Sequence, residues 1–197
     1  MTCDLVVHAT GQVPDIDDLN LSAAGVEFGP RGIKVSAAMR TTNPAIFAAG
    51  DCADSGPNLT PVSAAEGRVA GKNLLAGKDA REIAYPPIPS VVFTLPPVAS
   101  VGLSVQVATE QGLDFETHFQ LNERWYSSMR VGAKWTACKV FVEQTTGHIL
   151  GAHLIGPGAE EQINLLAMAM SAGLTANQIK GIIFAYPSYA SDLGAMV

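Results

Sequence analysis

The side chains best placed to do chemistry lie in one stretch, Ala45-Ile46-Phe47-Ala48-Ala49-Gly50-Asp51-Cys52-Ala53. A short apolar run ends in a glycine and then a carboxylate. A buried strand uses this pattern to carry one acidic side chain to the mouth of a crevice, and the glycine lets a large ligand approach the backbone. Further on, Thr60 has the chemistry of an N-cap and Pro61 suits the first helical position. The helix they open points its positive end toward the place where Asp51 emerges, which favours an anion or an electron-rich ring edge there. Alone, Ala-Gly-Asp reads more readily as a strand-end turn. The second pattern at this distance turns the reading toward a ligand crevice.

The remaining reactive residues read more simply. Cys3, Cys52 and Cys138 are scattered and odd in number, so they form neither a disulfide frame nor a zinc set and read as reduced, packed thiols. His148 and His153 fall on opposite faces of one strand, and neither they nor His8 and His118 have the company of cysteines or carboxylates that a metal requires. Met168 and Met170 read as core filling.

The elements that must hold these residues fit an ordinary globular chain. Of 197 residues, 48% are apolar and 15% charged, which excludes a disordered chain. A net charge of −6 without a basic stripe argues against nucleic acid. No apolar run approaches a membrane span, and no basic-then-apolar leader opens the sequence, so the chain is expected in the cytoplasm.

Ala49-Gly50-Asp51, Leu59-Thr60-Pro61-Val62 and Ala65-Glu66-Gly67-Arg68 together resemble the second flavin-binding stretch of the FAD-dependent pyridine nucleotide-disulfide oxidoreductases. Glutathione reductase, dihydrolipoamide dehydrogenase and mercuric reductase belong to that family. The resemblance implies that Asp51 binds a ribityl hydroxyl of FAD and that the helix after Thr60-Pro61 sets backbone N–H groups near the flavin pyrimidine. The cofactor-binding set it implies is Gly11, Gly50, Asp51, Leu59, Thr60, Pro61 and Val62. Gly11 enters because Asp4-Leu5-Val6-Val7-His8-Ala9-Thr10-Gly11, a buried-type strand, resembles the family's link from its NAD(P)H-binding domain back to FAD, with Gln12 at a usually basic position. A short strand is expected at Gly32-Ile33-Lys34-Val35.

No Gly-x-Gly-x-x-Gly follows a strand and no Cys-x4-Cys pair occurs. The expectation is therefore a C-terminal piece of a longer flavoenzyme, with the NAD(P)H (or NADP) site outside this chain. The piece alone is expected to be inactive.

Tyr85-Pro86-Pro87-Ile88-Pro89 reads as a linker, dividing the chain into 1–85, the link and FAD-binding segment, and 86–197. Ile88-Pro89-Ser90-Val91-Val92-Phe93-Thr94 and Val98-Ala99-Ser100-Val101-Gly102-Leu103-Ser104 resemble the opening of the family's dimerisation domain, with Leu95-Pro96-Pro97 in place of Asp-Pro-Glu. The fold class expected is α+β, an antiparallel sheet with helices following the end of an FAD-binding domain. Ser104 caps a short helix stopping at Gly112. Strands are expected over 125–138 and 139–143, a hairpin turn at 145–148 and a return strand at 149–155. Residues 163–172 form a helix apolar nearly all round, so a homodimer partner is expected to cover it, with Leu166 and Ala167 as interface candidates. Thr175 and Gln178 make a capping box that starts the last helix.

At the end, Tyr186-Pro187-Ser188-Tyr189-Ala190-Ser191 stands where the disulfide-reducing members carry His-Pro-Thr-x-x-Glu. The resemblance makes Tyr186 the candidate catalytic residue in place of the histidine, with Ser191 in place of the glutamate that orients it. A phenol titrating near pH 10 cannot shuttle protons at neutral pH as imidazole does. Glutathione-reductase-like activity is the leading expectation for the whole enzyme. A mercuric-reductase-like or other non-disulfide acceptor is the alternative, and a non-catalytic dimerising module is the rival for the isolated chain.

Overall fold

Helix α1, Thr60–Ala76, forms although Gly67 and Gly71 each cost about 1 kcal/mol relative to alanine, and it stops where Gly77 takes the left-handed conformation at φ 65°. Its start differs from expectation. Leu59 holds the cap position without a side-chain bond, and Thr60 is already helical. The Leu59 carbonyl accepts from the N–H groups of Val62 and Ser63, and Pro61 has no donor to satisfy, so a hydroxyl cap has little left to do.

The computed structural model describes residues 3–197. Contacts divide the chain into two units, Met1–Tyr85 and Pro86–Val197. In the first, β1 (Phe28–Gly29) pairs antiparallel with β2 (Gly32–Lys34), which lies parallel to β3 (Ala53–Asp54). The expected strand at 32–35 is present. The strand expected over 45–49 is not, because this stretch closes an irregular loop. Phe47 bridges Arg40, Thr41 N–H donates to the Ile46 carbonyl and Ala48 N–H to the Met39 carbonyl. The regular strand comes after Asp51. Residues 4–11 also form no strand. Leu5, Val6 and Val7 are 77–79% exposed, and a strand without a neighbour has nowhere to place its backbone donors. A small core of Ile16, Leu21, Val26, Ile33, Ala48 and Ala53 closes the unit.

The second unit is an antiparallel sheet in the order β4-β5-β8-β7-β6, formed by β4 (Ser90–Val92), β5 (Val98–Gly102), β6 (Phe115–Leu121), β7 (Ala137–Glu143) and β8 (Ile149–Ile155). Helix α2 (Val105–Glu110) is capped by the Ser104 hydroxyl, and Gly112 follows in the left-handed region. Helix α4 (Ala159–Ser171) packs on β5 and β8 and buries Ile163 and Leu166 completely. The fold class is α+β.

Two expectations need correction here. Within 125–138 the chain makes helix α3 (Tyr126–Arg130), and β7 begins only at Ala137, where β6 supplies a pairing edge. Ser127 and Ser128, weak formers of either structure, are drawn into the helix by partners distant in sequence or across the next turn, Asp192 and Thr136. Strand β7 does not alternate between buried and exposed residues. Phe141 is buried, packed edge-on to Phe115 and tilted against His153, beside a bulge at Phe141/Val142. The Thr175/Gln178 capping box starts α5 (Ala176–Lys180), but that helix is not the last: a short turn at Tyr189–Asp192 leads into α6 (Leu193–Met196).

Candidate functional site

Asp51 sits in the middle of a short 3-10 turn, Gly50–Cys52, between the irregular loop and β3. Gly50 takes φ +76°, which favours glycine, and a Cβ there would stand 3.1 Å from the Cβ of Ser63, a tight approach to α1. Ser63 Oγ donates to Asp51 Oδ1 at 3.1 Å. The Asp51 carboxylate remains solvent-exposed and borders a crevice of about 290 Å³ that Gln12, Val13, Pro14, Cys52 and Asn58 also line.

The other expected binding residues are less uniform. Gly11 is exposed at φ +98° and precedes Gln12 of that crevice. Thr60 and Pro61 are exposed, whereas Val62 is buried. The N–H groups of Leu59, Val62 and Ser63 are already engaged by the carbonyls of Pro57 and Leu59. The stretch 59–62 therefore offers a ligand chiefly the surface of Thr60 and Pro61.

Behind the turn lies a residue whose sequence context showed only helix and family pattern. Glu66 is 1% exposed, with its carboxylate clasped from several directions. Gly50 N–H donates to Oε2 at 2.7 Å, while Ser55 Oγ, Gly56 N–H and the Tyr85 hydroxyl donate to Oε1 at 2.8, 3.3 and 2.5 Å. Burial pushes the carboxyl up, but the four donated bonds outweigh it and hold the group below its ordinary value. Burial and the neighbouring carboxylate push the Tyr85 phenol up. Nothing local could have revealed this clasp, since Ser55 and Tyr85 reach Glu66 only through folding.

In the second unit, Tyr186 is 73% exposed and lies beside Tyr126, with ring centroids 5.8 Å apart. Ser191 does not reach it. Its hydroxyl donates to the Ser188 carbonyl and accepts from Ser188 N–H, making a local capping box. The carboxylate of this region is Asp192, which accepts from Ser127 Oγ at 2.5 Å and whose pKa burial raises. No Tyr186–carboxylate pair is formed among the described residues.

Comparison with known proteins places the chain. Residues 88–197 match the model of the pyridine nucleotide-disulphide oxidoreductase dimerisation domain, and residues 1–67 match that of the pyridine nucleotide-disulphide oxidoreductases. The chain belongs to this family. It is 38% identical over 181 residues to the "uncharacterized 19.7 kDa protein in mercuric resistance operon" of Staphylococcus aureus, covering 91% of this chain and 100% of that one. It is 33% identical to the mitochondrial dihydrolipoyl dehydrogenase of Sus scrofa, over 95% of this chain but only 36% of that protein. The HOCl-induced flavoprotein disulfide reductase RclA of Escherichia coli superposes with a TM-score of 0.85 at 26% identity, over 95% of this chain and 43% of that one.

The chain thus spans about a third of the dihydrolipoyl dehydrogenase and all of the Staphylococcus aureus relative. Within the oxidoreductase family, its Asp51 turn falls in the segment 1–67 and Tyr186 in the dimerisation domain. Among the described residues no three His, Cys, Asp or Glu side chains converge as a metal set, and no helix is long and apolar enough to cross a membrane.

Proposed function

We propose that this chain supplies flavin-ribityl contacts and a homodimer interface to an FAD- and NAD(P)H-dependent oxidoreductase. The observation that carries the reading is the Asp51 turn: an exposed carboxylate bordering a crevice, steadied by Ser63, next to a glycine at positive φ that lies close against α1. A carboxylate so held can accept hydrogen bonds from sugar-like hydroxyls, and the residues present fit FAD in that respect. FAD supplies the hydride-accepting chemistry of such enzymes. This chain contributes position: Asp51 accepts from the ligand's hydroxyl, and Thr60 and Pro61 shape the wall beside it.

Few contacts hold the ligand here, so the chain is expected to purify colourless and to bind added FAD weakly. Fluorescence titration should give a saturable signal that Asp51→Ala weakens about tenfold, the worth of one charged hydrogen bond. Equal titration of both forms, or a yellow stoichiometric flavoprotein, would overturn this reading.

The interface lies on an apolar groove of about 240 Å³ lined by Leu165, Met168, Ala172, Ile182 and Phe184. Leu166 and Ala167, the sequence-based candidates, are 0% and 6% exposed inside the unit's own core, whereas Met168 is 63% exposed. Met168→Arg should therefore turn a dimer into a monomer by light scattering while Leu166 stays a folding residue. A monomeric unmutated chain would refute the interface.

A second reading concerns the acceptor. Tyr186 lies tilted beside Tyr126 with no carboxylate to orient it, which disfavours activation of a thiol and favours a non-disulfide acceptor. Rapid glutathione disulfide turnover by the whole oxidoreductase would sink it.

A further inference from the structure

Glu66 and Ser63 lie three residues apart on one face of α1, so the helix can grip a neighbouring segment at two points. It does so at the Asp51 turn. Ser63 holds the Asp51 carboxylate, and Glu66 holds the backbone N–H one residue earlier, at Gly50. The two oxygens of Glu66 divide the work. Oε2 takes the turn, while Oε1 gathers Ser55, Gly56 and Tyr85, the last residue of the first unit.

A helix position only 1% exposed would ordinarily carry an apolar side chain. Taking a carboxylate out of water is costly unless its lone pairs are matched, and here donors from three separate stretches match them. We infer that Glu66 is the positioning residue of the Gly50–Asp51 turn, fixing the backbone from which Asp51 reaches its ligand while Ser63 fixes the side chain.

The inference rests on the proposed role of Asp51 for its use, but its test does not need flavin. The 197-residue chain, with Cys3→Ser to remove the exposed thiol, leaves Cys52 as the accessible probe, since Cys138 is buried. Cys52 adjoins Asp51 and its thiol contacts the Ala49 carbonyl. In Glu66→Gln, whose amide cannot accept from all four donors, Cys52 alkylation and hydrogen exchange at the Gly50 amide should each quicken about tenfold. Amides in β2 and in the second unit should keep their protection.

A change under twofold at both probes overturns the inference. So does an equal loss of protection throughout the first unit, which marks a merely structural carboxylate. If Glu66→Gln fails to fold that unit, Tyr85→Phe decides: it keeps the Gly50 bond and removes one donor, and should quicken both probes about threefold. No quickening there also overturns the inference. FAD titration then separates the two ideas. If the turn loosens as stated but Asp51→Ala leaves flavin binding unchanged, the flavin reading fails and the positioning role stands.

Discussion

The two units of this chain solve the same problem with different chemistry. Pro86–Val197 closes a continuous apolar core between a five-stranded sheet and α4, with Val140, Ala152, Ile163 and Leu166 wholly withdrawn from water. Met1–Tyr85 has strands of two or three residues and a core of six buried apolar side chains. It is held as much by polar side chains that reach across loops: Glu66 as described, and Asn73, which is 0% exposed and bonds the Ala38 carbonyl and both the N–H and carbonyl of Arg81. Burial of apolar area tolerates small displacements, whereas a directed hydrogen bond fixes one position. The unit carrying the Asp51 crevice is the one built on directed bonds.

The largest effect should come from the apolar core. Leu166→Ala leaves a cavity in a site sealed by α4 and the sheet, and should cost the second unit about 2–5 kcal/mol. Trp125 and Trp135 both lie in that unit, so urea unfolding followed by tryptophan fluorescence reads it directly. A loss below about 1 kcal/mol would mean the core is looser than its burial implies.

Next comes the polar counterpart. Asn73→Leu removes three hydrogen bonds and leaves the backbone groups of Ala38 and Arg81 unmatched, for about 1–3 kcal/mol, felt in the first unit alone. The alkylation rate of Cys52 under mild urea should rise while the tryptophan transition stays where it was. A shift of that transition would break the division between the units.

These contrasts also explain what the sequence could reveal. The Ser104 cap, the Thr175/Gln178 box and β8 are encoded by neighbours within a few positions, and each was legible. The segments that misled were those whose backbone partners are distant. Apolar 45–49 has strand composition, yet its carbonyls and N–H groups meet those of 39–41 in a loop. Residues 126–130 read as strand until Asp192 takes the Ser127 hydroxyl. In the site itself, Gly50 and Asp51 were marked by type and spacing. Glu66 was marked only as part of a family pattern, because its worth lies in Ser55 and Tyr85, which no periodicity brings to it.

Acid should set the two units against each other. Glu66 has its pKa lowered by folding, so its contribution to the first unit is present above the ordinary value of 4.5 and is lost as the pH falls through the lower folded value. Asp192 has its pKa raised by burial, so its contribution to the second unit is full below 3.8 and is lost as the pH rises through the higher folded value. Below pH 4.5, Glu66→Gln should therefore flatten the acid loss seen by Cys52 reactivity toward an acid-tolerant disulfide reagent. Asp192→Asn should remove a fall in tryptophan-monitored stability as the pH rises. Parallel pH slopes for each variant and the unmutated chain would show that neither carboxyl controls its unit.

The smallest effect is the most local. The Thr175 hydroxyl accepts from Gln178 N–H at 3.2 Å, and the Gln178 side chain accepts from Thr175 N–H at 2.8 Å, closing the start of α5. Removing the hydroxyl leaves one helical donor to water and should cost about 1 kcal/mol. Ile179, 2% exposed, is the residue that couples α5 to the second unit's core, so the loss should appear in the tryptophan transition and nowhere in the reactivity of Cys52. Thr175→Ser, which retains the oxygen, should recover most of it. Should Thr175→Ser lose as much as Thr175→Ala, the hydroxyl is not the source of the helix start, and the packing of the Thr175 methyl against Gly147, 3.9 Å from where a Cβ on that glycine would stand, must supply it instead.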